Sequence, residues 1–411
     1  MNKPELLAPA GNLEKLKIAI DYGADAVYCG GHNYGLRSGA DNFTLEELRE
    51  AKNYAHKNNS NIYITVNMMP HNKELKDLPG YLHELDELGV DSLIVSDPGV
   101  IQIIKDENID TPIHLSTQAN TVNWASANFW YNQGIERVIL ARELSKEEIK
   151  EFADNSNIER EMFIHGSMCI SYSGRCLLSN YMVGRDANRG ECAHSCRWKY
   201  HLVEEKRPGE YYPIYEDENG AYIMNSKDLC LIEYIPEIMD LNLTSLKIEG
   251  RMKSIHYVAT VVGVYRRAID NYFADPKNYK MKDEWLKELN KVSNRGYTTG
   301  FFHSKPDEED HNYESSAYRR KYDFMGVVKE YDQQNHLAVV EVRNKFFKGD
   351  IIEFFGPDTK AFNEKVDYII NSEGEKVENA PHPKELIKIP VDKKVEKGYI
   401  VRRKKEGEKI D

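Results

Sequence analysis

Eight short runs rich in apolar and β-branched residues recur through the first 250 residues, and amphipathic segments of helical period alternate with them. The runs are Glu5–Ala10, Ala26–Gly30, Asn61–Asn67, Ser92–Asp97, Pro112–Gln118, Arg137–Arg142, Glu161–Gly166 and Ser245–Gly250. Each has the length and composition of a strand. Between the first seven lie helical segments such as Asn12–Tyr22, Thr44–Lys57, Glu74–Leu88 and Ser145–Ala153. Thr44 with Glu47, and Ser145 with Glu148, read as capping boxes that start two of these helices. Repeated strand and helix units call for a parallel sheet, and eight of them favour closure into a barrel. No Gly-x-Gly-x-x-Gly follows the first strand, which weakens a dinucleotide-binding reading. The expected class is therefore α/β, a TIM-like (β/α) barrel.

A chain of 411 residues, 41% hydrophobic and 30% charged, is too long for one small core and should form two domains. After Ser254–Tyr272 and Asp283–Ser293, both read as helices, the pattern changes from Tyr322 to short strands and turns. The strands read there are Phe324–Tyr331, His336–Val342, Asp350–Phe355, Lys365–Ile370, Glu385–Ile389 and Tyr399–Arg403, which predicts a small antiparallel β-barrel. The expected division is a catalytic barrel over 1–300, a linker over 301–321 and the β-barrel over 322–411. The start MNKPELLAPAGN lacks the apolar run of a signal peptide, and no stretch long enough to span a membrane occurs, so a cytoplasmic protein is expected.

One connection breaks the rhythm. Between the seventh and eighth strands, residues 167–244 form an excursion far longer than such units need, and long excursions of this kind are commonly functional. It carries five of the six cysteines, spaced Cys169-x6-Cys176-x15-Cys192-x3-Cys196-x33-Cys230. In a reducing compartment such a cluster is not a disulfide framework. Soft thiolates select zinc or iron-sulfur, and the irregular long gaps, with only Cys192 and Cys196 close together, lean toward iron-sulfur. Cys29 is left as packing or site. Because barrel chemistry sits at the carboxyl ends of the strands, the cluster should cap the mouth.

Polar residues at those strand ends are the candidate site. Arg142 and Arg251 suit a carboxylated small molecule, since a guanidinium matches a carboxylate with two parallel hydrogen bonds. Asn67, Gln118 and Glu249 join them as candidate substrate contacts, and Gly30, Gly31 and Gly166 would allow a close approach. His165 is a candidate proton carrier, and His194 a candidate alternative ligand between two cysteines. The net charge of -12 argues against indiscriminate binding to nucleic acid. Local basic groups remain at Arg175, Arg185, Arg189, Arg197 and Lys199, at Arg319–Lys321, and at Arg402–Lys405.

The segment Glu161–Ser179, EMFIHGSMCISYSGRCLLS, matches the pattern E-x-F-x2-G-S-hydrophobic-C-x4-G-x-C-x-hydrophobic-S, and so resembles the collagenase-like peptidase family U-32. The stretches LLAPAGNLEKLKIAIDYGADAVYCGG, NYMVGRDANRGECAHSCRWKY, MNSKDLC and SLKIEGRMKS are similar to the same family, so the likeness covers nearly the whole chain. Within the family the chain looks most like the tRNA-hydroxylating branch. That resemblance implies formation of 5-hydroxyuridine at the tRNA wobble position, prephenate as hydroxyl donor, and a 4Fe-4S cluster in the barrel mouth. It places the cluster ligands on Cys169, Cys176, Cys192 and Cys230, with Cys196 as alternative, and admits a ferredoxin-like or family-related protein partner. Two other readings stay open: a collagenase-like peptidase, although neither HExxH nor Gly-x-Ser-x-Gly is present, and a non-catalytic RNA-binding or scaffold subunit with a structural metal.

Overall fold

The computed structural model describes residues 2–32, 34–35, 42–168, 176, 178–185, 187, 191–197, 201–202, 212–213, 226–305, 318–357 and 359–405. Strands β1 (Glu5–Pro9), β2 (Ala26–Cys29), β3 (Asn61–Val66), β4 (Ser92–Val95), β5 (Ile113–Leu115), β6 (Arg137–Ile139) and β7 (Glu159–Ser167) pair in order, each parallel to the next. Further along are the short pair β8 (His201–Leu202) and β9 (Tyr212–Pro213), then β10 (Asp228–Cys230), β11 (Ser245–Ile248) and β12 (Tyr297–Thr298). β11 runs parallel to β7 and to β1, with Ser245 opposite both Glu161 and Glu5, and so closes an eight-stranded ring. These strands are apolar along most of their length because the ring's interior covers one face and helices cover the other.

The outer helices are α1 (Leu13–Asp21), α2 (Leu45–Lys57), α3 (Leu78–Leu88), α4 (Pro98–Asp106), α5 (Trp124–Asn132) and α6 (Lys146–Asn155), followed by α7 (Leu178–Val183), α8 (Ile235–Met239), α9 (Ile255–Ala274) and α10 (Asp283–Leu289). Both expected capping boxes are present: Thr44 and Ser145 accept from the amides of Glu47 and Glu148, whose carboxylates reach back to the cap amides. Thr44→Ala should therefore cost about 1 kcal/mol in urea unfolding, because it strands one amide of the first turn of α2. The helix expected over Glu74–Leu88 is divided: a single 3-10 turn covers Glu74–Lys76, and α3 starts at Leu78 with Pro79 in its first turn. Proline is tolerated there because it removes an amide that has no partner in the helix.

The lower part of the ring is filled by a buried ionic cluster. Glu161, with no exposed surface, accepts from Lys247 at 2.7 Å and lies 3.4 Å from Arg137, which also binds Glu5 at 2.9 Å. A charge taken out of water is held only by partners of this kind, so the ring is a packed core and not a channel.

Beyond α10 the chain forms β13 (Tyr322–Asp332), β14 (Leu337–Val342), β15 (Phe346–Phe347), β16 (Ile351–Phe355), β17 (Phe362–Lys365), β18 (Ile369–Ile370), β19 (Lys376–Val377), β20 (Asn379–Ala380), β21 (Leu386–Pro390) and β22 (Ile400–Lys404). Eight of them make an antiparallel sheet in the order β17-β16-β22-β13-β14-β21-β18-β19, curled around its own core of Met325, Val340, Phe354, Ile387 and Val401. The run Lys365–Ile370, expected as one strand, is split between β17 and β18.

Helix α9 joins the two units. Nearly its whole circumference is buried, as expected of a helix with partners on all sides. It lies against α1 and β1 on one side, while Phe355 of the curled sheet lies 3.7 Å from where a Cβ on Gly263 would stand. Tyr22 completes the contact: its hydroxyl donates to the carbonyls of Phe355 at 2.8 Å and Gly398 at 3.1 Å. Among the described residues, no helix is long and apolar enough to cross a membrane.

Candidate active site at the barrel mouth

The excursion leaves the ring at the carboxyl end of β7 and returns beside it. β10 pairs antiparallel with β7, Asp228 opposite Ser167 and Cys230 opposite His165. The bend at the top of β7 depends on Gly166, at φ +116, where an added Cβ would stand 2.7 Å from the carbonyl oxygen of Glu249. Only glycine fits that conformation and that approach. The carboxylate of Glu249 accepts from the Ser167 amide at 3.4 Å, so the ends of β7 and β11 are tied together at the rim.

His165 is 1% exposed and lies among three tyrosine rings, with centroids 6.0 Å away at Tyr257, 5.5 Å at Tyr265 and 5.4 Å at Tyr297. Burial, reinforced by Lys253 and opposed by Glu249, pushes its pKa down to about 3, so the ring is uncharged near neutral pH. The Tyr265 hydroxyl organises this corner. It donates to the Ile164 carbonyl at 2.9 Å, accepts from the Leu231 amide at 3.1 Å, and lies 3.4 Å from His165 Nδ1 and 3.8 Å from Cys230 Sγ. Nothing in the sequence singled Tyr265 out, because its position in the middle of α9 reads as core.

The opposite rim is lined by amides and guanidinium groups. Arg251 is 5% exposed and reaches across the mouth, donating to Thr65 Oγ1 at 2.8 Å. A Cβ on Gly30 would meet its Nη1 at 2.5 Å, so the close approach expected at this glycine is made by Arg251 itself. Asn67 donates to Gln118 Oε1 at 2.8 Å and to Ser116 Oγ at 3.4 Å, and Ser96 donates to the Asn67 carbonyl at 2.8 Å. Gln118 is buried, and its Nε2 has no hydrogen-bond partner among the described residues. Arg142 donates to the Ser167 carbonyl at 2.6 Å and lies over the Phe163 ring at 4.9 Å, leaving its Nε without a partner among the described residues. Unmet donors of this kind are what a bound oxyanion would satisfy.

The thiols divide into two places. Cys230 is buried beside His165, and burial pushes it up to about 12. Near neutral pH it stays protonated, and a bound metal would draw off its proton. Cys176, Cys192 and Cys196 are half-buried on the excursion, where Ala193 donates to Ser179 Oγ at 2.9 Å and so ties the start of α7 to the turn between Cys192 and Cys196. His194, in that turn, takes a left-handed backbone at φ 57. Cys29 is buried in the wall of the ring, its thiol pushed up to about 12 by burial despite Arg251 nearby. The sulfur side chains of the described cysteines are a soft donor set of the kind iron or zinc takes. Among the described residues no three His, Cys, Asp or Glu side chains converge as ligands, and Cys169 lies outside those residues, as do Arg175, Arg189 and Lys199.

Residues 11–312 match peptidase family U32, and residues 320–402 match the C-terminal domain of that family. The chain belongs to peptidase family U32. This U32 protein is 47% identical over 403 residues to tRNA hydroxylation protein P1 of Bacillus subtilis, covering 98% of this chain and 95% of that one. It is 39% identical to tRNA hydroxylation protein P of Escherichia coli, covering 98% and 96%. It is also 32% identical to a collagenase of Porphyromonas gingivalis, covering 96% of each chain. The U32 family thus joins proteins named for two unrelated reactions, and sequence likeness reaches along their whole length in both cases.

Proposed function

We propose that this U32 chain hydroxylates uridine in tRNA. The observation that carries the reading is its 47% identity, over 98% of its length, to a protein named for tRNA hydroxylation. The finer reading is that the target is the wobble uridine, the product 5-hydroxyuridine and the hydroxyl donor prephenate, a dicarboxylate suited to the rim described above. In this reading Arg142 and Arg251 hold the donor's carboxylates, and Gln118 Nε2 gives a further hydrogen bond to one of its oxygens. Asn67 orients Gln118 through its Oε1, and Glu249 fixes the rim at Ser167. His165 is the proton carrier at the β7–β10 junction, uncharged between transfers.

A 4Fe-4S cluster is the proposed cofactor, with Cys169, Cys176, Cys192 and Cys230 as ligands and Cys196 as alternative. When bound, it would supply iron that accepts and releases electrons. The chain's own residues position the substrate and shield the site from water.

The test pairs metal analysis with nucleoside analysis. In a strain lacking the native gene, wild type should restore 5-hydroxyuridine in tRNA, and protein purified without oxygen should contain iron. Cys176→Ala should remove both the iron and the nucleoside, whereas a Cys176→Ala protein that restores the nucleoside fully would sink the cluster-dependent reading. Zinc without iron would instead favour a structural metal. The collagenase relative supports a second reading, a peptidase. Cleavage of gelatin by wild type, lost in the cysteine variants, would favour it.

A further inference from the structure

Two basic runs far apart in the sequence, Arg319–Lys321 and Arg402–Lys405, meet in the fold. The antiparallel register of β13 and β22 sets Tyr322 opposite Lys404, and the Lys405 amide donates to the Lys321 carbonyl at 3.0 Å. Arg402 is buried in a separate cluster, Arg403 is bound by Asp350 at 2.7 Å, and Lys405 lies 3.5 Å from Asp323. Arg319, Arg320, Lys321 and Lys404 remain, and make no ion pair among the described residues. Arg319, Arg320 and Lys404 are exposed. In a chain of net charge -12, four such cations side by side have a cost in mutual repulsion that isolated surface lysines do not.

The surface has two ends. Upstream, Tyr318 is held between Lys253, 4.4 Å from its ring centroid, and Arg295, at 4.1 Å. Lys253 follows Arg251 at the mouth, and the Arg295 amide donates to Asp228 at 3.3 Å, on the strand that carries Cys230. Arg319 is fixed to the same edge by its amide, which donates to the Asn294 carbonyl at 2.7 Å. Downstream, Lys404 and Lys405 line a hollow of about 1010 Å³ shared with Tyr322, Phe347 and Ile351. Phe347 is 42% exposed and Ile351 64%. The hollow's carboxylates are engaged: Asp350 by Arg403, Asp323 by Lys405, and Glu353 by Lys291 at 3.0 Å.

We infer that this surface, running from the barrel mouth along Tyr318–Tyr322 into the hollow on the curled sheet, is a track for an RNA strand. These four cations would meet phosphates, and Phe347 would stack with a base. A positive groove edged by an exposed aromatic ring is the arrangement that holds a single strand without reading its sequence. The inference rests on the tRNA reading above and deepens it, by assigning the RNA to a surface that includes the C-terminal sheet.

The test is binding of an unmodified tRNA transcript to the full chain across a salt series. Replacing all four cations, as Arg319→Gln, Arg320→Gln, Lys321→Gln and Lys404→Gln together, should lower the slope of log affinity against log salt by about 3, at roughly 0.7 per lost phosphate contact. Affinity at physiological salt should drop roughly tenfold or more. Arg320→Gln and Lys404→Gln alone should each remove about 0.7 of slope, which keeps the measurement decisive if the fourfold variant folds poorly. Phe347→Ala should weaken binding roughly fivefold or more with the slope unchanged. Wild-type slope and affinity in the fourfold variant, with 5-hydroxyuridine still made, would overturn the track and leave the proposed function standing. A wild type that neither binds tRNA nor restores the nucleoside would overturn both. Displacement of tRNA by polyglutamate at equal charge would overturn the assignment to RNA in favour of an acidic polypeptide.

Discussion

Arg402→Ala should cost about 3–5 kcal/mol of unfolding free energy, the largest effect expected of any single substitution outside the site. Arg402 has no exposed surface and binds Glu288 of α10 and Glu353 of β16. Lys291 joins the same two carboxylates, at 2.6 Å and 3.0 Å. The guanidinium also lies over the rings of Phe355, at 4.9 Å, and Tyr322, at 5.6 Å. Burial works against the Glu288 carboxylate, yet Arg402 and Lys291 outweigh it and hold its pKa below the usual range. Removing Arg402 leaves two partly buried carboxylates with one lysine between them, and the cost lies in that uncompensated charge more than in the lost attraction. Because the partners come from α10 and from the curled sheet, urea unfolding of the variant should separate into two transitions. Arg402→Lys should give an intermediate loss, since an ammonium keeps the charge but not the fork that serves both carboxylates. A loss within about 0.5 kcal/mol, typical of surface positions, would show that the cluster does not join the two units.

Acid should destabilise the protein well before its ordinary carboxylates titrate. His114, His165 and His256 are buried, and burial first, then neighbouring cations, depresses each pKa: Arg137 and Lys247 act on His114, Arg402 and Lys291 on His256, and Lys253 on His165, which reaches about 3. In the unfolded chain each would titrate near 6.5. The folded state therefore binds fewer protons than the unfolded one below that pH, so this contribution is fully present above about pH 6.5 and is lost as pH falls. Three protons correspond to a slope of up to about 4 kcal/mol per pH unit. Glu5 and Asp21, whose pKa values burial raises, take up protons first in the folded state and subtract from that slope at its acid end. Urea unfolding followed from about pH 7 to pH 5 should show the fall, and His256→Gln should flatten it by about one proton. Stability flat across that range would mean that the three rings are protonated in the folded protein.

The ring was legible because each of its strands had to be apolar over a short, bounded length. The eight runs read from residues match the observed strands to within a few positions, and Thr44 and Ser145 mark their helix starts by side-chain chemistry alone. β10 carried no such mark. Its three residues, Asp228 to Cys230, alternate with nothing, and they become a strand only because the top of β7 offers unpaired backbone. The division of the predicted Lys365–Ile370 strand is of the same kind, since its buried and exposed residues do not alternate evenly. At the mouth, residue types alone brought Arg142, Arg251, Asn67, Gln118, Glu249 and His165 forward. Their partners, Ser167, Thr65 and Tyr265, depend on contacts between residues distant in sequence, which no local pattern contains. The same holds for the two basic runs, which separately read as solvated charge and become one surface only through the register of Tyr322 with Lys404.

The pairing of Asp228 with Ser167 puts the two ends of the stretch 168–227, which carries four of the five clustered cysteines, in adjacent positions. Once entry and exit are stapled side by side, each doubling of the stretch between them adds only about 0.6 kcal/mol of closure entropy. Lengthening, shortening or exchanging the stretch between them would leave the neighbouring strands where they are. New specificities can therefore arise in this fold by grafting a different module onto an unchanged cylinder.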